Sequence, residues 1–157
     1  MPAEVIFSND EVKVYELLNS GDLNRINAFL ALYERFFPKY AHYTPRMRRR
    51  TQLPSQARTG HKVHYWLIEY QDTPIGLFMF RFISHRKCGA GTALALDSSV
   101  RGVEVHGKSL TAFLFKKVLN QLKEDALSMG HSEYFGMVAE VEHLGLMKRF
   151  EKLGMIE

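Results

Sequence analysis

The sequence predicts a single α/β domain of the α+β kind, and three patterns predict it. Val12 to Leu18 opens Val-Lys-Val-Tyr-Glu-Leu, the period-two alternation of a half-buried strand. Leu23, Ile26, Phe29, Leu30, Tyr33 and Phe37 recur at helical spacing, as do Leu110, Phe113, Leu114, Val118 and Leu122. Between these two helices lie apolar runs joined by turn residues, the mark of a hairpin. The 157 residues are 46% hydrophobic and 24% charged, enough chain and apolar content for one self-sufficient core.

Glu4 to Phe7 and Val12 to Leu18 are both strand-like, and the alternation makes the second the expected first strand of the sheet. Asn19-Ser20-Gly21-Asp22 is a turn, with Asp22 placed to cap a helix running to Phe36 and ended by Pro38. A basic stretch follows, in which Tyr40, His42 and Tyr43 lead into Arg46, Arg48, Arg49 and Arg50 between Pro45 and Pro54. It reads either as a solvated second helix or as a wall that holds a carboxylate or phosphate of a ligand. Four arginines are a thin footprint for nucleic acid, so none is expected as a partner.

His64 to Tyr70 and Ile75 to Ile83 form the hairpin around the turn Gln71-Asp72-Thr73-Pro74. His61 and His64 make an H-x-x-H pair, but their stretch is a strand rather than a helix, so no metal site is expected. Ser84 to Gly91 reads as a connector, and Thr92 to Leu96 as a buried central strand. After the long helix, Met129-Gly130-His131-Ser132 is a stop, and Tyr134 to Val141 is another strand. The chain closes on His143-Leu-Gly-Leu-Met-Lys-Arg-Phe150-Glu-Lys-Leu-Gly-Met-Ile-Glu157.

The segment between the central strand and the long helix carries the chemistry. A strand, a glycine-bearing loop and a helix make an anion site, because the first helix amides lack internal partners and the helix dipole adds positive charge. A phosphate is therefore expected near Gly107, Lys108 and Ser109. Two motifs compete here. Gly102 to Ser109, G-V-E-V-H-G-K-S, matches the nucleotide-binding pattern G-x-x-x-x-G-K-[ST]. That reading needs a parallel sheet and a second acidic strand end, and no apolar run ending in Asp follows.

The other reading is a resemblance to the GNAT N-acetyltransferase superfamily. Its strand, Arg/Gln-x-x-Gly-x-Gly/Ala loop and long helix align with Glu104 to Ser109. Gly107 matches, Ser109 is a small substitute, and Glu104 departs from the pattern. Arg101-Gly102 resembles the family's Arg-Gly pair displaced by two residues. The close of the chain resembles the second family signature, Asn-x-x-Ala-x-x-Leu-Tyr-Glu-Lys-Leu-Gly-Phe. Glu151 to Gly154 matches outright, with His143 at the Asn position, Leu146 at the Ala position and Phe150 at the Tyr position. With the order of elements, the resemblance covers residues 12–157.

The resemblance implies a central mixed, mostly antiparallel sheet flanked by helices, in one domain over residues 1–157. It implies transfer of an acyl group, acetyl above all, from coenzyme A to a primary amine of a small molecule or peptide. Acetyl-coenzyme A would enter as co-substrate between splayed central strands, its pantetheine amide on the backbone of Ala95 to Asp97. Leu96, Asp97, Arg101, Gly102, His106, Gly107, Lys108, Ser109, His143 and Phe150 fall at the positions that would hold it. The amine is a cation near neutral pH and needs a base. Glu140, Glu142 and Asp97 stand at the strand ends, with Glu140 first because Val138, Ala139 and Val141 would desolvate it. His143 is the candidate acid, since Phe150 has no proton to give. Glu104 and Phe150 also motivate an alternative, a GNAT-like module that binds acyl-coenzyme A or a protein partner without turnover.

A complete domain of this family continues with one or two strands beyond Leu-Gly-Phe. The expectation is therefore a longer protein, or a second copy covering the Tyr134 strand in a homo-oligomer. The net charge of +4 favours acidic ligands. One cysteine, Cys88, and no apolar segment after Met1 suit a reducing, cytoplasmic setting, and no run reaches the roughly 18 apolar residues of a membrane span.

Overall fold

A computed structural model describes residues 2–139 of the chain. Its strands are β1 (Glu4–Ser8), β2 (Val12–Glu16), β3 (His61–Tyr70), β4 (Thr73–Ile83), β5 (Cys88–Leu96), β6 (Glu104–Val105), β7 (Lys108–Ser109) and β8 (Met137–Ala139). Its helices are α1 (Leu23–Phe36), α2 (Thr44–Thr51) and α3 (Leu110–Ser128), with a 3₁₀ helix over Pro38–Tyr43 leading into α2. One sheet takes the order β1-β2-β3-β4-β5-β8, and β6 pairs only with β7. Every pairing in the large sheet is antiparallel except that of β5 with β8. The expected mixed, mostly antiparallel sheet with flanking helices is the observed one.

Alternation along the strands sends apolar residues to both faces, so the sheet separates two cores. On one face Val14, Trp66, Ile68, Phe78, Phe80 and Phe82 pack with Phe113, Leu114, Val118 and Leu122 of α3. On the other, Leu17, Tyr65, Leu67, Leu77, Met79 and Ala93 pack with Ile26, Phe29, Leu30 and Tyr33 of α1 and Met47 of α2. Asp22 caps α1 as expected, its Oδ1 accepting the Arg25 amide at 3.3 Å. The same carboxylate accepts Ala3 N–H at 2.9 Å and Arg25 Nη1 at 3.0 Å. Burial alone would raise its pKa, but these donors hold it below the ordinary value.

Four boundaries differ from the sequence expectation. Glu4–Ser8 is a sheet strand in its own right, an edge whose residues are exposed or half-buried and therefore show no clean alternation. The hairpin turn is only Gln71 and Asp72, both at positive φ, while Pro74 lies inside β4 opposite a bulge at Ile68/Glu69. The supposed connector Ser84 to Gly91 contains the first turns of β5, which begins at Cys88. Gly89 disguises this: a β-carbon there would stand 2.4 Å from Leu122 Cδ1, so α3 packs directly on the strand backbone. Strand β8 begins at Met137, after Tyr134 has sent its hydroxyl to the Leu119 carbonyl at 3.2 Å.

Candidate active site

Strand β5 and the segment after it form the site. β5 pairs with β8 at Gly89↔Met137, Ala90↔Val138 and Gly91↔Ala139, and its described pairing on that side ends there. On the other side its pairing with β4 continues to Gly76↔Leu96. Thr92 to Leu96 therefore presents one edge without a described partner strand. Asp97 N–H donates to the Ile75 carbonyl at 2.7 Å. In an antiparallel pair successive residues turn their polar groups to opposite sides, so Ala95 and Asp97 serve β4 while Leu94 and Leu96 face the open edge. Of the stretch Ala95 to Asp97 named from the sequence, Leu96 is the residue with backbone groups on the free side.

Asp97 is occupied. Its Oδ1 accepts the Ser99 amide at 2.9 Å and its Oδ2 pairs with Arg35 Nη2 at 2.5 Å. The Ser99 bonds first, and then Arg35, hold its carboxyl below the ordinary range. A carboxylate so stabilised is a poor proton acceptor, so Asp97 acts here as the cap of the turn Ser98–Val100 and as an anchor for α1.

The run from Arg101 to Ser109 is a small hairpin rather than an open loop. Glu104 faces Ser109 and Val105 faces Lys108, with His106 and Gly107 at the tip at φ of 52° and 76°. Two successive positive φ values are the type I′ geometry, so Gly107 serves a tight turn. A β-carbon added there would meet nothing within 4 Å. Ser109 caps α3 by accepting the Ala112 amide at 3.2 Å, and Leu110 N–H donates to the Val103 carbonyl at 2.9 Å. Two of the first three helix amides are thus satisfied within the chain, which narrows the anion site anticipated there. Arg101, Gly102, Gly107, Lys108 and Ser109 are exposed around it. The His106 ring meets Phe7 and Phe113 edge-on. This hairpin, and a sheet with one parallel pairing, are not the strand–loop–helix on a parallel sheet that the G-x-x-x-x-G-K-[ST] reading requires. Glu140, Glu142, His143 and Phe150 lie outside the described residues.

Two charged clusters were not anticipated. On the α3 face, His64 lies between Glu16 and Asp125, its Nδ1 2.6 Å from Glu16 Oε1 and its Nε2 2.6 Å from Asp125 Oδ2. Asp125 is fully buried and also accepts Gln121 Nε2 at 2.9 Å. Burial disfavours the imidazolium, but the bonds to Asp125 and Glu16 outweigh it and lift the pKa to about 9. On the α1/α2 face, His61 Nδ1 and Arg81 Nε are buried without a hydrogen-bond partner. His61 and His64 thus point to opposite faces of β3 and cannot share a metal. The arginines of α2 are partly engaged: Arg48 donates to Asn27 Oδ1 at 2.8 Å, and Arg50 to the carbonyls of Leu53, Pro54 and Ser55. Within the sequence, the only sign of Arg81 was a cation on a strand whose same-face neighbours are apolar.

No protein-family model and no curated protein matches the sequence. Among solved structures, the chain is similar to an aminoglycoside acetyltransferase from an uncultured soil metagenomic sample in complex with sisomicin, at 9% identity and a TM-score of 0.62 over 94% of this chain and 91% of that one. It is similar to an aminoglycoside N-acetyltransferase in complex with CoA, at 10% identity and a TM-score of 0.56 over 100% and 92%. A GCN5-related N-acetyltransferase from Ralstonia eutropha aligns at 14% identity and a TM-score of 0.53 over 93% of each chain. The shared feature is the fold, that of the GNAT acetyltransferases.

Proposed function

We propose that this chain is an acyl-coenzyme A-dependent N-acetyltransferase that acetylates a primary amine. The observation that carries the reading is the fold, whose solved neighbours include one with CoA bound; among the described residues no strand pairs with β5 on the β8 side beyond Gly91. Leu94 and Leu96 would accept and donate to the pantetheine amides along that edge. Arg101, Lys108 and the start of α3 would face the pyrophosphate. The amine nitrogen attacks the thioester carbonyl, the carbon–sulfur bond breaks, the amine proton passes to a base, and the thiolate leaves and takes a proton. With Asp97 committed to Ser99 and Arg35, Glu140 remains the first candidate base. Glu140→Gln is expected to lower kcat at least tenfold with little change in coenzyme affinity; equal losses in both would make it structural.

The commitment of Asp97 also favours a second reading, a module that binds acyl-coenzyme A without turnover. Isothermal titration with coenzyme A, and thiol release from acetyl-coenzyme A across an amine panel, separate the two. Release with an amine supports transfer, and binding without release on any amine supports the module. Tight binding of a nucleoside triphosphate in place of coenzyme A sinks both.

A further inference from the structure

Arg81 lies on β4 opposite Val63 of β3 and Ala90 of β5. Its same-face neighbours along the two strands are Met79, Tyr65 and Val63, all in the α1/α2 core. No ion pair or hydrogen bond of its guanidinium occurs among the described residues, and its Nε is buried. His61, on the same face and one diagonal step along the ladder, is 8% exposed, and its Nδ1 is the second orphan. A native fold rarely tolerates two such groups side by side, since each costs its full desolvation. Burial, followed by Arg58, Arg81 and His85, holds His61 below its ordinary pKa. The pair is thus a half-buried guanidinium whose Nε lacks a partner and a buried imidazole whose Nδ1 lacks one.

Its position relates it to the proposed reaction. Ala90 is one rung from Gly91, the last residue of β5 with a described β8 partner. On this face β5 carries only small residues, the half-buried Ala90 opposite Arg81 and the buried Ala93 opposite Met79. From Ala93 back to Ala90 is three residues, about 10 Å of strand.

Building on the acetyltransferase reading, we infer that the acceptor amine carries an anionic group, a carboxylate or phosphate, held by Arg81 and His61 on the α1/α2 face beside Ala90. Arg81 offers the planar fork that such oxyanions match, and His61 adds one donor from β3. The amine then points along β5 toward the open edge. This locates at Arg81 the anion recognition that the sequence suggested for the α2 arginines. It also gives the orphaned Nε of Arg81 and Nδ1 of His61 a partner: the ligand completes them.

The test pairs each acid with its neutral isostere. Thiol release from acetyl-coenzyme A is measured with ω-amino acids of increasing length against the matching alkylamines, and with aminoalkyl phosphates to separate the two anions. The acids are expected to exceed their isosteres in kcat/KM by about 10- to 100-fold, the worth of a charged hydrogen-bonded pair. Arg81→Met is expected to erase that ratio, the acids falling to the level of their isosteres, with coenzyme A affinity unchanged. His61→Phe should reduce the ratio in part. A binding arm is independent of turnover: glutarate and inorganic phosphate are titrated calorimetrically into the wild type and both variants. Anion binding that is lost in Arg81→Met supports the site even where no amine is acetylated, a result that would count against transfer alone. Equal rates on acids and isosteres, or anion binding unchanged in Arg81→Met, overturns the inference. The thermal midpoint of each variant is recorded alongside, and Arg81→Lys, which keeps the charge without the planar fork, is expected to restore the ratio only in part.

Discussion

His64 shows what one residue contributes when its neighbours are fixed by three different elements. Glu16 comes from the end of β2, Asp125 from the last turns of α3, and the imidazole from β3. The imidazolium ties the helix to the sheet across the face opposite Arg81. Its folded-state pKa of about 9 lies above the ordinary 6.5, so the stabilisation is fully present below pH 6.5 and fades as the pH rises through about 9. Urea denaturation at a series of pH values is expected to show stability declining over that window. His64→Gln should cost about 1–3 kcal/mol at neutral pH, because the buried Asp125 loses a charged partner and keeps only Gln121 and Lys62, the latter 3.7 Å away, and it should flatten the decline. An unchanged pH slope in the variant would assign the titration to other groups. Gly76 is a second decisive residue. A β-carbon there would lie 2.4 Å from Leu96 Cδ2 and 2.9 Å from the Ala95 carbonyl, and the carbonyl belongs to the β5 backbone. Gly76→Ala is expected to destabilise by about 1–3 kcal/mol, and to weaken coenzyme A binding by displacing the open edge. An unchanged thermal midpoint would show that β5 yields without cost.

At the scale of elements, the sequence disclosed the pieces with strong periodicity and hid those where packing overrules pattern. α1, with its Asp22 cap, and α3, with its Gly130 stop, read directly, because apolar spacing and cap chemistry act locally. The start of β5 did not, because Gly89 earns its place through contact with Leu122, a residue distant in sequence. The segment from Gly102 to Ser109 announced glycine, lysine and serine in a familiar spacing, yet its backbone folds as a two-rung hairpin. Spacing reports which residues are present, whereas the pairing of Glu104 with Ser109 decides what they do. Asp97 was legible as a carboxylate at a strand end, but not as one bound by Arg35 from α1. Arg81 and His61 were invisible for the same reason: an orphaned donor exists only relative to neighbours. Gly107→Asp tests the hairpin tip. The tip has open space for a side chain, and Asp tolerates positive φ, so a loss of about 1 kcal/mol or less in stability is expected. Coenzyme A affinity should nevertheless drop, through like-charge repulsion with the pyrophosphate. Undiminished affinity would move the phosphate site elsewhere.

Across the whole molecule, the sheet keeps two unlike cores apart. The α3 face is rich in aromatic residues and holds the Glu16–His64–Asp125 tie, while the α1/α2 face carries the unpartnered His61 Nδ1 and Arg81 Nε. Among the described residues no helix is long and apolar enough to cross a membrane. Strands β2 to β5 are joined in register along most of their lengths, β3 and β4 through a two-residue turn.

The parallel pairing of β5 with β8 has a temporal consequence. β3, β4 and β5 meet their neighbours across short loops, whereas β8 reaches β5 only after α3 has been laid down between them. Contacts of greater sequence separation close later. In pulse-labelled hydrogen exchange during refolding, the amides of Met137 to Ala139 should therefore gain protection after those of β3 and β4. Coenzyme A bound beside β5 should slow native-state exchange at Met137 to Ala139, because a ligand that binds only the folded form stabilises it by mass action. The seam beside the proposed active site would then be the last to assemble, and substrate would help to hold it shut.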